Sequence, residues 1–436
     1  MFRLIITIPL VVCASVVALA QLPPLAERDA IAYSKSAPHD AVARLQEALD
    51  RGDAKLEFDA ERGYLPSVLK QLDVPISSQG LVFSRTSLQV DHIAPWAPRA
   101  IYFNDDVYVG WAQKAPIMEV ASVDPKLGAV FYTLNQTATD HPKFERQTRM
   151  CLVCHQSAAT TGGVPGFLVR SVFADRYGYA LSYPGMDESV TTDQTPIADR
   201  WGGWYVTGTT GSAHRGNLVG PMLAHEFPSV KNYVAHLDYT ATSHVTNLQD
   251  RLDLKRYLSP HSDIVALLLL AHQTSVHNLL TIANYESQVE GESSPRAEAA
   301  VEQLVRALLF VNEAPLSGPV TGTSGFAEAF AARGPRDDKG RSLRDLDLKD
   351  RLFRYPISYL IYSESFDALP TGVKQHIYRR VLDVLTGADT RADFTRTPAS
   401  DRAAALEILR STKPDFASLA QQTQPLQRQS FTKPLG

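Results

Sequence analysis

The chain has 436 residues, room for two or three ordinary domains, and its 44% apolar and 21% charged content is that of soluble globular proteins. With 43 Lys and Arg against 47 Asp and Glu the formal net charge is −4, which argues against nucleic acid as a partner. Three cysteines cannot build a disulfide framework, and no like-charge run, low-complexity tract or internal repeat stands out.

Residues 1–20 read as a secretory signal: Arg3 supplies the positive charge, an apolar run starts at Leu4, and Ala18-Leu19-Ala20 is a small-residue cleavage site. The run is short for a membrane span and carries Pro9, so no stable membrane insertion is expected after cleavage; an uncleaved anchor is the alternative. Val12 stands where a small residue should precede a lipidated cysteine, so Cys13 is not read as a lipoprotein site. The mature chain then holds two cysteines in a disulfide-permissive compartment.

Residues 21–75 form a helical lead segment, with Ala41, Leu45, Ala48 and Leu49 at helical spacing and Arg51-Gly52-Asp53 as a stop. From 76 to 216 the period changes to 2. Short β-branched or aromatic runs at 81–83, 101–103, 107–111, 117–123 and 129–134 predict strands, and Asn104-Asp105 and 124–128 predict hairpin turns between them.

Behind this meander comes Cys151-Leu152-Val153-Cys154-His155. Two thiols separated by two residues, followed at once by an imidazole, form the arrangement that fastens a haem to protein: the thiols add across the porphyrin vinyl groups and the His ligates the iron. Three rivals use the same atoms. A thioredoxin-like dithiol wants a preceding strand and a following helix, which Arg149-Met150 and Gln156-Ser157-Ala158 do not resemble. A zinc site could be completed by His272 and His277, far beyond finger spacing. A Cys151–Cys154 disulfide would close a strained ring.

The motif resembles that of the c-type cytochromes. The resemblance covers five residues and implies one covalent haem c, with Cys151 and Cys154 as thioether attachments and His155 as proximal iron ligand. In bacteria it also implies haem attachment outside the cytoplasm, which agrees with the export signal and makes the periplasm the expected location. It does not imply the small class I helix bundle, because strands are predicted after the motif too: a loop at 162–166, a strand at 167–173, a turn at 175–178 and a return at 179–183. Cytochrome P460-type domains are a nearer likeness, since there a strand with a pattern like 128–134 precedes a single haem motif and another strand follows.

Arg200-Trp201-Gly202-Gly203-Trp204-Tyr205 and the Gly-rich residues through Gly211 read as a strand with tight turns and buried indoles, or as an aromatic wall of the haem pocket. From 217 to 436 the chain is expected to be helical. Ser262 is the expected cap of a buried helix over 262–285, and Val373, Ile377, Val381, Val384 and Leu385 mark an amphipathic helix stopped by Gly387. A last helix starts at Ser400 and ends before Pro414. The fold class predicted is α+β. The segments CLVCHQS, RWGGWYVTGTTG and HQTSVHNLLTIANYE are similar to those of a group of large, exported, mono-haem proteins, a likeness that implies neither reaction nor fold.

For the distal side of the iron His272 is expected first, then His277, Met186, His214 and Met222. A His on so apolar a helix is also readily a hydrogen-bonded core residue, and a five-residue separation turns His272 and His277 about 140° apart, so at most one faces the iron. Three functions follow. The first is electron transfer to or from partner redox proteins, with both axial positions filled. The second is a haem oxidoreductase, peroxidase-like or acting on a small-molecule substrate, with an open distal position. The third is a sensor or assembly subunit with structural haem.

Overall fold

The computed structural model describes residues 24–422, apart from 183, 185, 187, 222–226, 238, 240 and 241. The predicted signal at 1–20, Cys13 and Met222 lie outside the described residues. The molecule is α+β, as its alternating sequence periods require.

Its centre is an antiparallel sheet of β1 (Gly80–Val82), β2 (Arg99–Phe103), β3 (Val107–Trp111), β4 (Ile117–Asp124), β5 (Gly128–Asn135) and β6 (Phe144–Arg146) in a meander. Two short strands, β7 (Arg170–Ser171) and β8 (Ser189–Val190), pair with each other apart from it. β9 (Trp204–Tyr205) then returns to the free edge of β1, giving the order β6-β5-β4-β3-β2-β1-β9. Every strand predicted before the motif is present to within a residue or two. Both predicted turns close hairpins because a side chain caps them: Asn104 Oδ1 accepts the N–H of Asp106 and Val107, and Asp124 Oδ1 those of Lys126 and Leu127.

Alternation along these strands sorts two cores. Leu81, Ala100, Tyr102, Val107, Val109, Val120, Val130 and Tyr132 cluster with Val42 and Leu45 of α1 (Ala41–Arg51) and Leu65, Val68 and Leu69 of α2 (Leu65–Gln71). Val82, Phe103, Tyr108, Val123, Ala129 and Phe131 point the other way, into the core built on the long helix described next. With both faces covered, β3 and most of β5 are buried at every residue, and their sequences read as near-continuous apolar runs.

Two single turns follow the sheet, α3 (Leu152–His155) and α4 (Ala158–Thr161), then α5 (Phe227–Ala235) and α6 (Ile264–Glu290). The stretch 217–263, expected to be helical, also holds β11 (His244–Val245), which pairs with β10 (Gly208–Thr209). Helix α6 is long and apolar enough to cross a membrane by length and composition, yet 83% of that window is buried inside the protein. Asp263 caps it, Oδ1 accepting the N–H of Val265 and Ala266. The expected cap, Ser262, instead donates to the Tyr205 carbonyl and accepts from the Leu81 N–H, pinning the helix start to β1 and β9. Beyond it lie α7 (Pro295–Leu308), α8 (Phe326–Ala331), α9 (Glu364–Asp367), α10 (Thr371–Thr386), α11 (Ala392–Thr395), α12 (Ala399–Thr412) and α13 (Pro414–Gln422). Val373, Ile377, Val381, Val384 and Leu385 are all buried, the face their spacing predicts.

Candidate functional site

Between the sheet and α6 lies a cavity of about 250 Å³. Two cross-strand rows supply its floor: Ile101, Gly110 and Glu119 in one, Tyr108, Ala121 and Phe131 in the other. Val82 and Trp204 extend the floor to the sheet edge, Leu270 and Thr274 reach in from α6, and Cys151, Cys154 and His155 stand at the rim with Met150.

The three motif residues meet there because the motif is one turn of helix. The N–H groups of Cys154 and His155 both bond back to the Cys151 carbonyl, at 3.3 and 3.1 Å. Positions i, i+3 and i+4 therefore share a face. Both thiols are free; Cys151 is half-buried and Cys154 exposed. Burial, and after it the negative charge of Glu119, pushes the Cys151 thiol up to about 11, the opposite of the depressed value that a redox-active dithiol needs.

The His155 ring is oriented from behind. Its Nδ1 lies 2.9 Å from the Gly166 carbonyl, and the Gly166 N–H donates to the His155 carbonyl at 2.9 Å. Burial lowers the imidazole's affinity for a proton, so at neutral pH the ring is neutral with its hydrogen on Nδ1. Nε2 then carries the lone pair and makes no hydrogen bond among the described residues. The Phe131 ring packs beside it, centroids 4.7 Å apart. Two free thiols, one unpartnered imidazole nitrogen tied down through its other nitrogen, and an apolar cavity beside them form the donor set that a covalently attached haem requires.

The polar part of the floor was not foreseen from sequence. Arg99 Nη2 pairs with Glu119 Oε2 at 2.6 Å, and Ser87 Oγ donates to the Glu119 carboxylate at 3.0 and 3.1 Å. Arg99 crosses β3 only because residue 110 is glycine: a Cβ there would sit 2.2 Å from Nη2. Arg99 Nε is buried without a partner among the described residues. Arg170, also on the wall, pairs with Glu188.

The expected distal ligands are placed elsewhere. His272, the first choice, is fully buried with both ring nitrogens engaged, Nδ1 at 2.7 Å from Asp193 Oδ2 and Nε2 at 2.7 Å from Ser358 Oγ, leaving no lone pair for a metal. His277 is buried beside the β2–β3 turn with Nε2 on the Asp105 carbonyl at 2.9 Å; its ring is 6.0 Å from that of Phe167 and does not line the cavity. Neither histidine is brought to the thiols, which removes the Cys2His2 zinc set. Met186 is buried with Phe173 and Leu181 in a separate small cluster. His214 packs edge-on against Trp201 and accepts the Gly216 N–H through Nδ1.

The glycine-rich segment divides. Trp204 lines the cavity, its indole N–H on the Arg170 carbonyl at 2.8 Å, whereas Trp201 is buried against His214. The strand expected at 167–173 shrinks to β7, because the Asn278 side chain takes both backbone groups of Phe167. The turn at 175–178 is present, with Asp175 N–H on the Tyr179 carbonyl and Leu181 N–H on the Phe173 carbonyl.

No family model, curated protein or solved structure matches this chain.

Proposed function

We propose that this chain is an exported, periplasmic protein carrying one covalent haem c, which exchanges electrons with partner redox proteins. One observation carries the reading: a single helical turn presents two free thiols and an imidazole, with Nε2 unpartnered among the described residues and Nδ1 held by a carbonyl, at the rim of an apolar cavity. Cys151 and Cys154 would hold the group through thioether bonds, and His155 would ligate its iron. When bound, a haem supplies one-electron redox chemistry. Phe131, Tyr108, Val82 and Trp204 would cover it and exclude water, while Val153 and Met150, 80% and 50% exposed, keep the attachment edge at the surface where a partner can approach.

A specific observation favours a second reading, a haem oxidoreductase with an open distal position. Among the described residues lining the cavity, His155 and Met150 are the ones with the usual His, Met or Lys donors, and Met150 is next to the attachment cysteine. Arg99 and Glu119 would then be the groups available to a small ligand.

Haem staining of denatured protein from cells competent in cytochrome maturation tests the cofactor; a colourless wild-type band rules it out. Optical and EPR spectra with and without carbon monoxide separate the roles. A low-spin spectrum insensitive to carbon monoxide supports the carrier, and high-spin iron that binds it supports the oxidoreductase.

A further inference from the structure

We propose that Asn278 of α6 is a positioning residue for His155: it clamps the backbone of Phe167 and thereby sets the Gly166 carbonyl that fixes the imidazole. The redox consequence rests on the haem reading above; the geometric part does not.

Asn278 spends both ends of its amide on one residue. Its Oδ1 accepts the Phe167 N–H at 2.7 Å and its Nδ2 donates to the Phe167 carbonyl at 2.8 Å. That is the pair of bonds a neighbouring strand would supply, delivered by a side chain. Phe167 follows directly on Gly166, so the clamp fixes the peptide whose carbonyl faces His155 Nδ1. The seat is close: a Cβ at position 166 would lie 2.5 Å from Asn278 Oδ1. One turn further along α6, Ile282 closes on Gly162, where a Cβ would lie 2.5 Å from its Cδ1. Thr274 and Leu270, one and two turns back, line the cavity. Positions 270, 274 and 278 are one i, i+4 row, so the same helix face forms the cavity wall and holds the Gly166–Phe167 peptide that aims His155, whereas Ile282, next in the row, packs on Gly162 and does not hold that peptide.

The chemical effect follows from the hydrogen bond. An imidazole donating Nδ1–H to a carbonyl is more basic at Nε2, which favours ferric over ferrous iron and lowers the potential. Freeing the Gly166 carbonyl weakens that donation and lets the ring turn.

The test compares the full chain with Asn278→Ala, Asn278→Asp and Ile282→Ala. Asn278→Asp keeps the acceptor for the Phe167 N–H but sets an oxygen against the Phe167 carbonyl, in nearly the native shape. All four should retain covalent haem on denaturing gels. Asn278→Ala should raise the potential by about 59 mV, one tenfold change in the ferric-to-ferrous ratio of a one-electron couple, with Asn278→Asp moving the same way. Ile282→Ala, which removes packing but not the clamp, should lose stability and keep the wild-type potential. An unshifted potential in both Asn278 variants, or an equal shift in Ile282→Ala, overturns the proposal. A second arm uses haem-free chain with ¹⁵N-labelled histidine, the His155 signals assigned by difference against His155→Gln. The wild type should show a single Nδ1–H tautomer and Asn278→Ala a mixture. Wild type without covalent haem defeats the cofactor reading alone, whereas an unchanged tautomer in Asn278→Ala defeats the role of Asn278.

Discussion

His155 and His272 begin alike and end in opposite places. Each has Nδ1 fixed by an oxygen, the Gly166 carbonyl at 2.9 Å or the Asp193 carboxylate at 2.7 Å. They differ at Nε2. That of His155 has no partner among the described residues and stands at a cavity, whereas that of His272 is 2.7 Å from Ser358 Oγ, with Phe310 and Phe353 packed against the ring. Asp193, His272 and Ser358 even reproduce the bonding order of a hydrolytic triad, but Ser358 is fully buried and lines neither the cavity beside His155 nor the one beside Leu309 and Phe394, so its oxygen is closed to an acyl group. Chemistry needs an unspent lone pair and space beside it. A pair of good hydrogen bonds in a dry core yields only a tie, here between α6, the 191–200 loop and the segment at 358.

The comparison breaks or sharpens under four changes. The largest effect is expected from replacing Cys151 and Cys154 together by Ala: covalent haem is lost outright, while the urea midpoint of the haem-free chain stays near wild type because neither thiol is deeply buried. Retained haem on a denaturing gel would refute the attachment. Next, His272→Ala should cost about 3 kcal/mol in urea denaturation, since it strands Asp193 and Ser358 around a new void, yet leave the haem spectrum unchanged. A spectral change with little loss of stability would reverse the roles assigned to the two histidines.

The third change is pH. Burial holds His277 and His214 down at about 4, against 6.5 for an ordinary His. The unfolded chain binds protons at these residues below about 6.5 and the folded one does not, so their contribution is complete above that value. It is lost as pH falls toward 4, by up to about 1.4 kcal/mol per unit for each residue. Half-buried Asp106 and Glu313, raised to about 7, act in the other direction, so the informative quantity is the difference between wild type and His277→Gln. Parallel stability curves from pH 6.5 to 4 would show that His277 is not held neutral. The smallest effect belongs to Gly110→Ala. The added methyl displaces the mobile end of Arg99 rather than backbone, so stability should fall by about 1 kcal/mol or less. If the distal side is open, carbon monoxide binding should shift measurably; unaltered binding would exclude Arg99 from that side.

Much of the architecture was legible along the chain. The meander from β1 to β5 could be read because short-range rules govern it: apolar runs of strand length, divided by Asn104 and Asp124 turns whose side chains bond the next two N–H groups. The shared face of Cys151, Cys154 and His155 was legible for the same reason, since i, i+3 and i+4 on one turn face one way wherever that turn is placed. Ser262 and the 167–173 strand misled because long-range partners outbid local preference: Ser262 is spent on Tyr205 and Leu81, and Phe167 on Asn278.

From sequence alone come the α+β class, the meander and the common face of Cys151, Cys154 and His155, all set by spacing within a few residues. Only the tertiary structure decided what those donors face, because that depends on which remote groups already hold a partner. Gly166 and Asn278 leave His155 Nε2 unspent, Gly110 lets Arg99 cross the sheet to Glu119, and Asp193 with Ser358 exhausts His272. A histidine's periodicity reports that it is buried; whether its last lone pair is free is settled by residues dozens of positions away.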